Sequence, residues 1–287
     1  MMNWQRPVAR AVNRLLAARG LSLGRVSHDF DHRLADPVDL ARLFDALAAS
    51  LKQWFSAQTL IAAAPLQWRA EVEKFYHAYL ASPYRAASGG SRFNNQLWLY
   101  AVTKAYAPSV VIDSGTYQGA SAWALDLAVP GKVISFDIDM SQLVRREPGI
   151  QYIERDWFGA DVLRGEDMTR ALIYFDDHVN QARRLLEAQT AGLPLAIFDD
   201  DFPVGAFADM AHDGVALPKI EFLLDDAFMR SGRVRWYKGE QLMSFTASRD
   251  EIDRARRAIG RTERLPNTSL ITGIHQTPYR IVEIAPV

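Results

Sequence analysis

The chain has 287 residues, of which 49% are hydrophobic and 23% charged, with a formal net charge of −1 and no cysteine. This length suits one large α/β domain with an appendage, and the charge gives no general attraction to nucleic acid, so we expect no nucleic-acid partner. Without cysteine there is no disulfide framework, thiolate zinc site or cysteine nucleophile, which fits a cytoplasmic protein. No charge-free apolar run approaches about 18 residues, so we expect no transmembrane segment.

Arginines dominate the start of the chain: five precede the first acid, Asp29. Arg6, Arg10 and Arg14 are four residues apart and would share one face of a helix. Two hypotheses stay open for this basic helix. In the first, it packs on the domain or on a neighbouring subunit of a homo-oligomer. In the second, it contacts an anionic membrane surface or is a transit-like segment.

Residues 1–88 have a helical pattern throughout. The stretch "DPVDLARLFDALAASLKQWFSAQTLIAAA" repeats apolar residues at helical spacing after the cap-and-proline start Asp36-Pro37, and "LQWRAEVEKFYHAYLAS" predicts a second helix. Gly89 and Gly90 then mark a loop. We therefore divide the chain into a helical N-terminal extension, 1–88, and an α/β domain, 89–287.

Short apolar runs alternate with helical stretches from Ser109 onward. The runs are "SVVID", "KVISFDI", "IQYIERD", "ALIYFDD" and "LAIFDDD". Apolar strands separated by helices predict a doubly wound, mostly parallel sheet covered on both faces. Further on, "RVRWYKG" and "QLMSFTAS" favour an antiparallel hairpin, "RDEIDRARRAIGR" a polar helix, and "YRIVEIA" another strand. Two of these last three strands are expected to complete a seven-stranded sheet.

The motif "DSGTYQG", Asp113 to Gly119, follows the first of these strands. Gly115 permits a tight turn and Gly119 lets the next helix approach the strand. Asp137 ends the second strand roughly 20 residues later, where a carboxylate can accept the hydroxyls of a ribose. The turn lacks the middle glycine that admits a pyrophosphate, and its acid disfavours a phosphate-bearing ligand.

This order resembles the class I S-adenosylmethionine-dependent methyltransferases, whose first motif is acid-x-Gly-x-x-x-Gly. The resemblance covers residues 92–247 and implies a Rossmann-like methyltransferase fold. It implies S-adenosylmethionine as cofactor, with Asp156 accepting from the adenine amine and Trp157 stacking on the ring. The remaining cofactor-binding residues would be Asp113, Gly115, Thr116, Tyr117, Gly119, Ser121 and Asp137.

Two acidic clusters end the fourth and fifth strands. They resemble those of the metal-dependent O-methyltransferases of the catechol and macrolide-sugar types, which implies Mg²⁺ held by Asp176, Asp199 and Asp200. Alternatively, these acids cap the helices that follow the strands. Asp177, for example, can cap the helix that follows the fourth strand. The catechol type has a lysine base where Val179 stands, so His178 and Asp177 are the catalytic candidates, with His178 as the base.

The resemblance implies methyl transfer to a hydroxyl of a small-molecule acceptor, a sugar or a small natural product. Two alternatives stay open. Asp137-x-Asp139 is also the metal and nucleotide-sugar pattern of many glycosyltransferases. A methyltransferase-like fold that binds a cofactor or a partner without catalysis is the other.

Overall fold

A computed structural model describes residues 36–62, 64–86, 91–206 and 216–287. The basic N-terminal helix and the predicted loop at Gly89 and Gly90 lie outside these residues. Among the described helices, none is long and apolar enough to cross a bilayer.

The helices begin and end largely where their capping residues predict. Asp36 caps the first one by accepting from the Val38 amide at 2.8 Å, with Pro37 in the first turn. The α-helices are α1 (Pro37–Ala57), α2 (Trp68–Ala81), α3 (Phe93–Tyr106), α4 (Ala120–Ala128), α5 (Gln181–Thr190), α6 (Ile220–Leu224), α7 (Asp226–Ser231), α8 (Arg249–Ala258) and α9 (Ser269–Thr272).

Seven strands form the main sheet in the order β3-β2-β1-β4-β5-β9-β8, and β6 and β7 form a separate two-stranded sheet. Within the main sheet, β9 runs in the direction opposite to the other six strands. The predicted doubly wound, mostly parallel seven-stranded sheet is therefore confirmed. The strands are β1 (Val111–Ser114), β2 (Val133–Asp137), β3 (Ile150–Glu154), β4 (Leu172–Phe175), β5 (Leu195–Phe198), β6 (Arg233–Lys238), β7 (Gln241–Thr246), β8 (Ile259–Arg264) and β9 (Arg280–Ile284).

Two hydrophobic clusters cover the two faces of the sheet. Successive strand residues point to opposite faces, so Leu172 and Tyr174 join the cluster that contains α1 to α4, while Ile173 and Phe175 join the one that contains α5 and α8. Helices α1 and α2 thus share a core with the sheet. Because both faces are buried, the central strands are apolar at most positions, which is why they read as nearly continuous hydrophobic runs.

The sixth and seventh strands differ from the sequence prediction. The hairpin β6–β7 does form, but it lies outside the main sheet, which is completed by β9 and by β8. The first three residues of β8, Ile259–Arg261, fall at the end of the predicted polar helix, but α8 ends at Ala258. An edge strand with mostly solvated side chains carries no apolar alternation, so its sequence does not distinguish it from a polar helix end.

The register of the parallel strands places their carboxyl ends side by side. Ser114 pairs with Phe136 on one side and with Phe175 on the other, and Phe175 pairs with Phe198. The residues that follow these positions therefore emerge at one edge of the sheet, which is where ligands bind in open parallel sheets.

Candidate active site

The turn after β1 is packed against the end of β4. Gly115 has φ +103°, and a Cβ atom there would lie 2.5 Å from the carbonyl carbon and oxygen of Asp176. Gly119, with φ +88°, is the N-cap of α4, and its added Cβ would meet Leu143 Cδ1 at 2.7 Å. Both glycines are therefore required by the protein's own backbone and packing.

Asp113 lies behind this turn and is fully buried. Ser135 Oγ donates to its Oδ2 at 2.5 Å, and Thr116 Oγ1 lies 2.6 Å from the same hydroxyl. Burial raises the pKa of Asp113 to about 7, although hydrogen bonds from Ser135 and Ser121 work against this. Asp113, Thr116 and Ser121 thus support the turn from within the protein and do not line the cleft in front of it.

Asp137 faces the cleft from the end of β2. The amide of Tyr117 donates to Oδ2 at 2.8 Å, and the amide of Asp139 donates to Oδ1 at 3.2 Å. Each carboxylate oxygen has two lone pairs, so both can still accept from a ligand hydroxyl. The hydrogen bond from Tyr117 joins the glycine turn to Asp137, and Ile138 beside them is 80% exposed.

The two predicted adenine-binding residues after β3, Asp156 and Trp157, lie in different environments. Asp156 lines the cleft. Trp157 is 1% exposed and packs on Phe175 with ring centroids 5.8 Å apart, so it belongs to the core of one sheet face. No face of its ring is open for stacking in this conformation. Of this predicted pair, only Asp156 is placed to contact a ligand.

Arg184 of α5 holds Asp156 in position. Its Nη2 donates to Asp156 Oδ2 at 2.7 Å and its Nη1 to Oδ1 at 3.2 Å, and the Phe158 amide donates to Oδ1 at 2.9 Å. Burial alone would raise the pKa of Asp156, but the hydrogen bonds from Arg184 and Phe158 outweigh it and lower the pKa. Asp156 is therefore held as a carboxylate at the cleft surface.

Asp176 and Asp199 follow β4 and β5, and both line the cleft. Burial, together with repulsion from Asp199 and Asp200, raises the pKa of Asp176 well above its ordinary value. Burial and repulsion from Asp200 raise the pKa of Asp199 to about 7, against hydrogen bonds such as that from Thr277 Oγ1 to Oδ1, which is 2.5 Å long. The cleft floor thus carries carboxyl groups that hold protons more tightly than usual.

Asp177 is held by contacts within the protein, whereas the side chain of His178 is largely exposed. Asp177 accepts from Ser114 Oγ at 2.6 Å and from the Val179 amide at 3.2 Å, and its Oδ2 lies 2.7 Å from Arg184 Nε. His178 has a 57% exposed side chain, φ +52°, and Nε2 3.9 Å from Asp176 Oδ1. Asp177 therefore supports the loop that presents His178 to the cleft.

One cleft of about 780 Å³ collects most of the residues predicted from the sequence. Those that line it are Gly115, Tyr117, Asp137, Asp156, Asp176, Asp177, His178, Asp199 and Asp200. Those that do not are Asp113, Thr116, Gly119, Ser121 and Trp157. Within the part of the chain that the structure describes, no group of three or more His, Asp or Glu side chains is arranged to hold a metal ion.

Sequence reasoning missed the other end of the cleft. Ser91, Arg92 and Asn95 reach it from the start of α3, and Ile274, His275 and Thr277 reach it from the segment before β9. The two segments are joined by hydrogen bonds, from Asn94 Nδ2 to the Ile274 carbonyl at 2.8 Å and from Asn95 Nδ2 to Thr277 Oγ1 at 2.8 Å. These partners are 180 and 182 residues apart in the chain, and no motif links them in the sequence.

Comparisons with known proteins found matches among solved structures alone. No family model and no curated protein matches this chain. Among solved structures, the O-methyltransferase TomG of Streptomyces achromogenes in complex with SAM is 10% identical, with 84% of this chain and 98% of that chain covered and a TM-score of 0.40. The SAH-bound methyltransferase PaMTH1 of Podospora anserina is 14% identical, with 92% and 100% covered and a TM-score of 0.38.

A third solved structure is the O-methyltransferase of Bacillus cereus in complex with SAH. It is 12% identical, with 84% of this chain and 99% of that chain covered and a TM-score of 0.39. The strand order and the antiparallel β9 give this chain the Rossmann-like methyltransferase fold. An activity has to be argued from the residues of the cleft, because one fold hosts many functions.

Proposed function

We propose that this protein transfers the methyl group of S-adenosylmethionine to a hydroxyl of a small polar acceptor. The observation that carries the proposal is the pair of carboxylates, Asp137 and Asp156, at adjacent strand ends of one cleft. Asp137, beside the glycine turn, suits the ribose hydroxyls, and Asp156 suits the adenine amine. Exposed Ile138 between them offers an apolar contact for the purine.

The charge of the cleft favours a sulfonium over a phosphate. Six carboxyl groups line it, from Asp137, Asp156, Asp176, Asp177, Asp199 and Asp200, against three arginines, Arg92, Arg155 and Arg184. A nucleoside diphosphate would meet the carboxyl groups as a second set of anions, whereas S-adenosylmethionine carries a positive sulfonium and an ammonium group. The glycosyltransferase alternative also needs Asp139 in the site, but its exposed carboxylate accepts from the Ser141 amide at 2.8 Å and does not line the cleft.

The far end of the cleft supports a hydroxylated acceptor. Ser91, Asn95 and Thr277 offer hydroxyl and amide groups there, and Ile274 is the one aliphatic side chain among the described residues of that end. Such a lining matches a sugar or another polar small molecule better than a flat apolar ring. His178, the most exposed of the titratable groups near the floor, is the proposed base that removes the hydroxyl proton.

A divalent cation is part of this proposal. Burial, together with repulsion from neighbouring carboxylates, raises the pKa values of Asp176 and Asp199, and oxygen ligands suit Mg²⁺, which binds through one or two carboxylates and keeps several waters. Asp176, Asp199 and Asp200 are not arranged around a common point in the structure, so their side chains would have to move together to hold the ion, which would lower the pKa of an acceptor hydroxyl. A thermal shift that rises with Mg²⁺ in wild type and disappears in D176N would support it, and no shift up to about 10 mM would contradict it.

Titration calorimetry with S-adenosylhomocysteine tests cofactor binding. We expect D137A to weaken binding about tenfold or more, because hydrogen bonds to a charged acceptor are worth about 1.5–3 kcal/mol. D139A is the matched control, since the Asp139 side chain is exposed outside the cleft and only its amide contacts Asp137. Equal losses in both variants, or no binding by the wild type, would refute the proposed site.

The base is tested by screening sugars, polyols and phenols for acceptor-dependent release of S-adenosylhomocysteine. With an acceptor in hand, H178A should lower kcat by about 100- to 10,000-fold and leave cofactor affinity unchanged. H77A, on the exposed face of α2, is the control. If H178A keeps most of the rate while H275A loses it, the base is the second histidine that lines this cleft.

A further inference from the structure

Arg184 contacts three carboxylates although it lies almost wholly inside the protein. Its side chain is 4% exposed, yet its guanidinium lines the cleft. Its nitrogens lie 2.7 Å from oxygens of Asp156, Asp177 and Glu187. The first of these acids ends β3, the second follows β4, and the third lies on the same helix as Arg184. One cation therefore joins the ends of two strands that are not neighbours in the sheet.

Asp156 depends on this guanidinium for both its orientation and its charge. Arg184 binds both of its oxygens, and the side chain of Asp156 is 40% exposed toward the cleft. A planar fork that bonds two oxygens fixes the plane of the carboxylate, which a single ammonium cannot do. The same bonds lower the pKa of Asp156. The cleft surface at the end of β3 is thus a fixed hydrogen-bond acceptor.

A fixed anionic acceptor discriminates between purines by their 6-substituent. A 6-amino group donates a hydrogen bond to it, whereas a 6-oxo group brings a second acceptor against it. Where a site is built to hydrogen-bond one group, an analogue without that group leaves the site's polar atoms unpaired and is rejected. Free rotation of the carboxylate, or its protonation to a donor, would weaken this discrimination.

We propose that Arg184 is a positioning residue that makes the cofactor site selective for a 6-amino purine by holding Asp156 ionised and oriented. This inference rests on the proposed function, because it takes the nucleoside of S-adenosylmethionine as the ligand. Arg184 contacts no reacting atom in it. Its role is exercised through Asp156.

Binding of two ligands tests the proposal without any methyl acceptor. The ligands are S-adenosylhomocysteine and S-inosylhomocysteine, which differ in the 6-amino or 6-oxo group and in the hydrogen that N1 carries beside the 6-oxo group, and the measurement is the ratio of their dissociation constants by calorimetry. In the wild type we expect a ratio of about 10 to 150, the equivalent of one hydrogen bond to a charged group. D156N should bring the ratio to within about threefold of one, because its amide can donate to a 6-oxo group.

Arginine variants separate positioning from simple structural support. R184K keeps the charge without the fork and should lower the ratio at least threefold, and R184M should lower it further. R183M is the control, because Arg183 also pairs with Glu187, at 2.7 Å, but does not contact Asp156 in the structure. It should change the ratio much less than R184M does, because Arg183 lowers the pKa of Asp156 through its charge alone and makes no hydrogen bond to it. If R184M does not fold, R184K and D156N still decide the question.

The possible failures are distinguishable. Absence of S-adenosylhomocysteine binding by the wild type would refute the proposed function, and this inference with it. If the wild type binds S-adenosylhomocysteine but shows a ratio near one, or if R184K and R184M keep the wild-type ratio, the inference alone is overturned. A ratio that falls equally in R183M would assign the effect to general loosening of α5 and would also overturn it.

Discussion

Replacing Asp113 by asparagine should stabilise the protein at alkaline pH and leave it nearly unchanged at acid pH. Asp113 is fully buried, and Ser135 and Ser121 are its hydrogen-bonding neighbours, with no cation among the main influences on its pKa. Burial opposes its ionisation and raises its pKa to about 7. Asparagine has nearly the same shape, and its amide oxygen can accept the hydrogen bond from Ser135, but it never ionises, so D113N chiefly removes the charge.

The size of the effect follows from the pKa. In the unfolded chain the carboxyl group has its ordinary pKa of 3.8, so the folded state binds the proton more tightly by about three pKa units. Because the folded pKa is the higher one, stability is unaffected below about pH 4, falls as the pH rises toward 7, and is constant above that. At 1.36 kcal/mol per unit the limit is about 4 kcal/mol, and we expect a gain of about 2–4 kcal/mol for D113N at pH 8.

Urea denaturation at pH 4, 6 and 8 measures this gain as the difference between the variant and the wild type. Asp176 and Asp199 give both proteins a pH dependence of the same sign, so only the difference between them is diagnostic. D139N is the control, because the hydrogen bond from the Ser141 amide lowers the pKa of this exposed carboxylate and gives no reason for a gain at pH 8. If D113N loses the same free energy at all three pH values, burial does not penalise this charge.

Two further predictions concern close packing and a buried ion pair. Gly115→Ala should lower the free energy of unfolding by about 3 kcal/mol or more, because its Cβ would lie 2.5 Å from the Asp176 carbonyl. Gly131→Ala, with φ +76° and nothing within 4 Å, should lower it by only about 1–2 kcal/mol, and equal losses by urea denaturation would contradict the packing argument. R280M should cost about 3–5 kcal/mol, because it leaves fully buried Asp201 without its guanidinium partner. The double variant R280M/D201N should recover part of that loss in the same assay, and a double variant no more stable than R280M would exclude an unpaired charge as the cause.

The alternation of apolar runs and helical stretches in the sequence determined the doubly wound sheet. Strands buried on both faces are apolar at most positions, and that pattern is local, so the sequence shows it whatever packs on the strands. The strand ends are local too, which is why Asp137, Asp156, Asp176 and Asp199 could be placed at one edge. The edge strand β8 has mostly solvated side chains and no such pattern, so only the hydrogen bonds to β9 define it.

Which of the strand-end side chains face the cleft was decided by the tertiary structure. Asp113 and Trp157 belong to the same sequence motifs as the residues that line the cleft. Their side chains nevertheless point into the interior of the protein. Arg184 and Thr277 carry no motif at all, since their partners at the ends of β3, β4 and β5 become neighbours only when the sheet assembles. The sequence by itself therefore determines most of the sheet and the edge where the strand-end carboxylates gather, while the charge balance of the cleft and its far end arise from long-range contacts that no local pattern encodes.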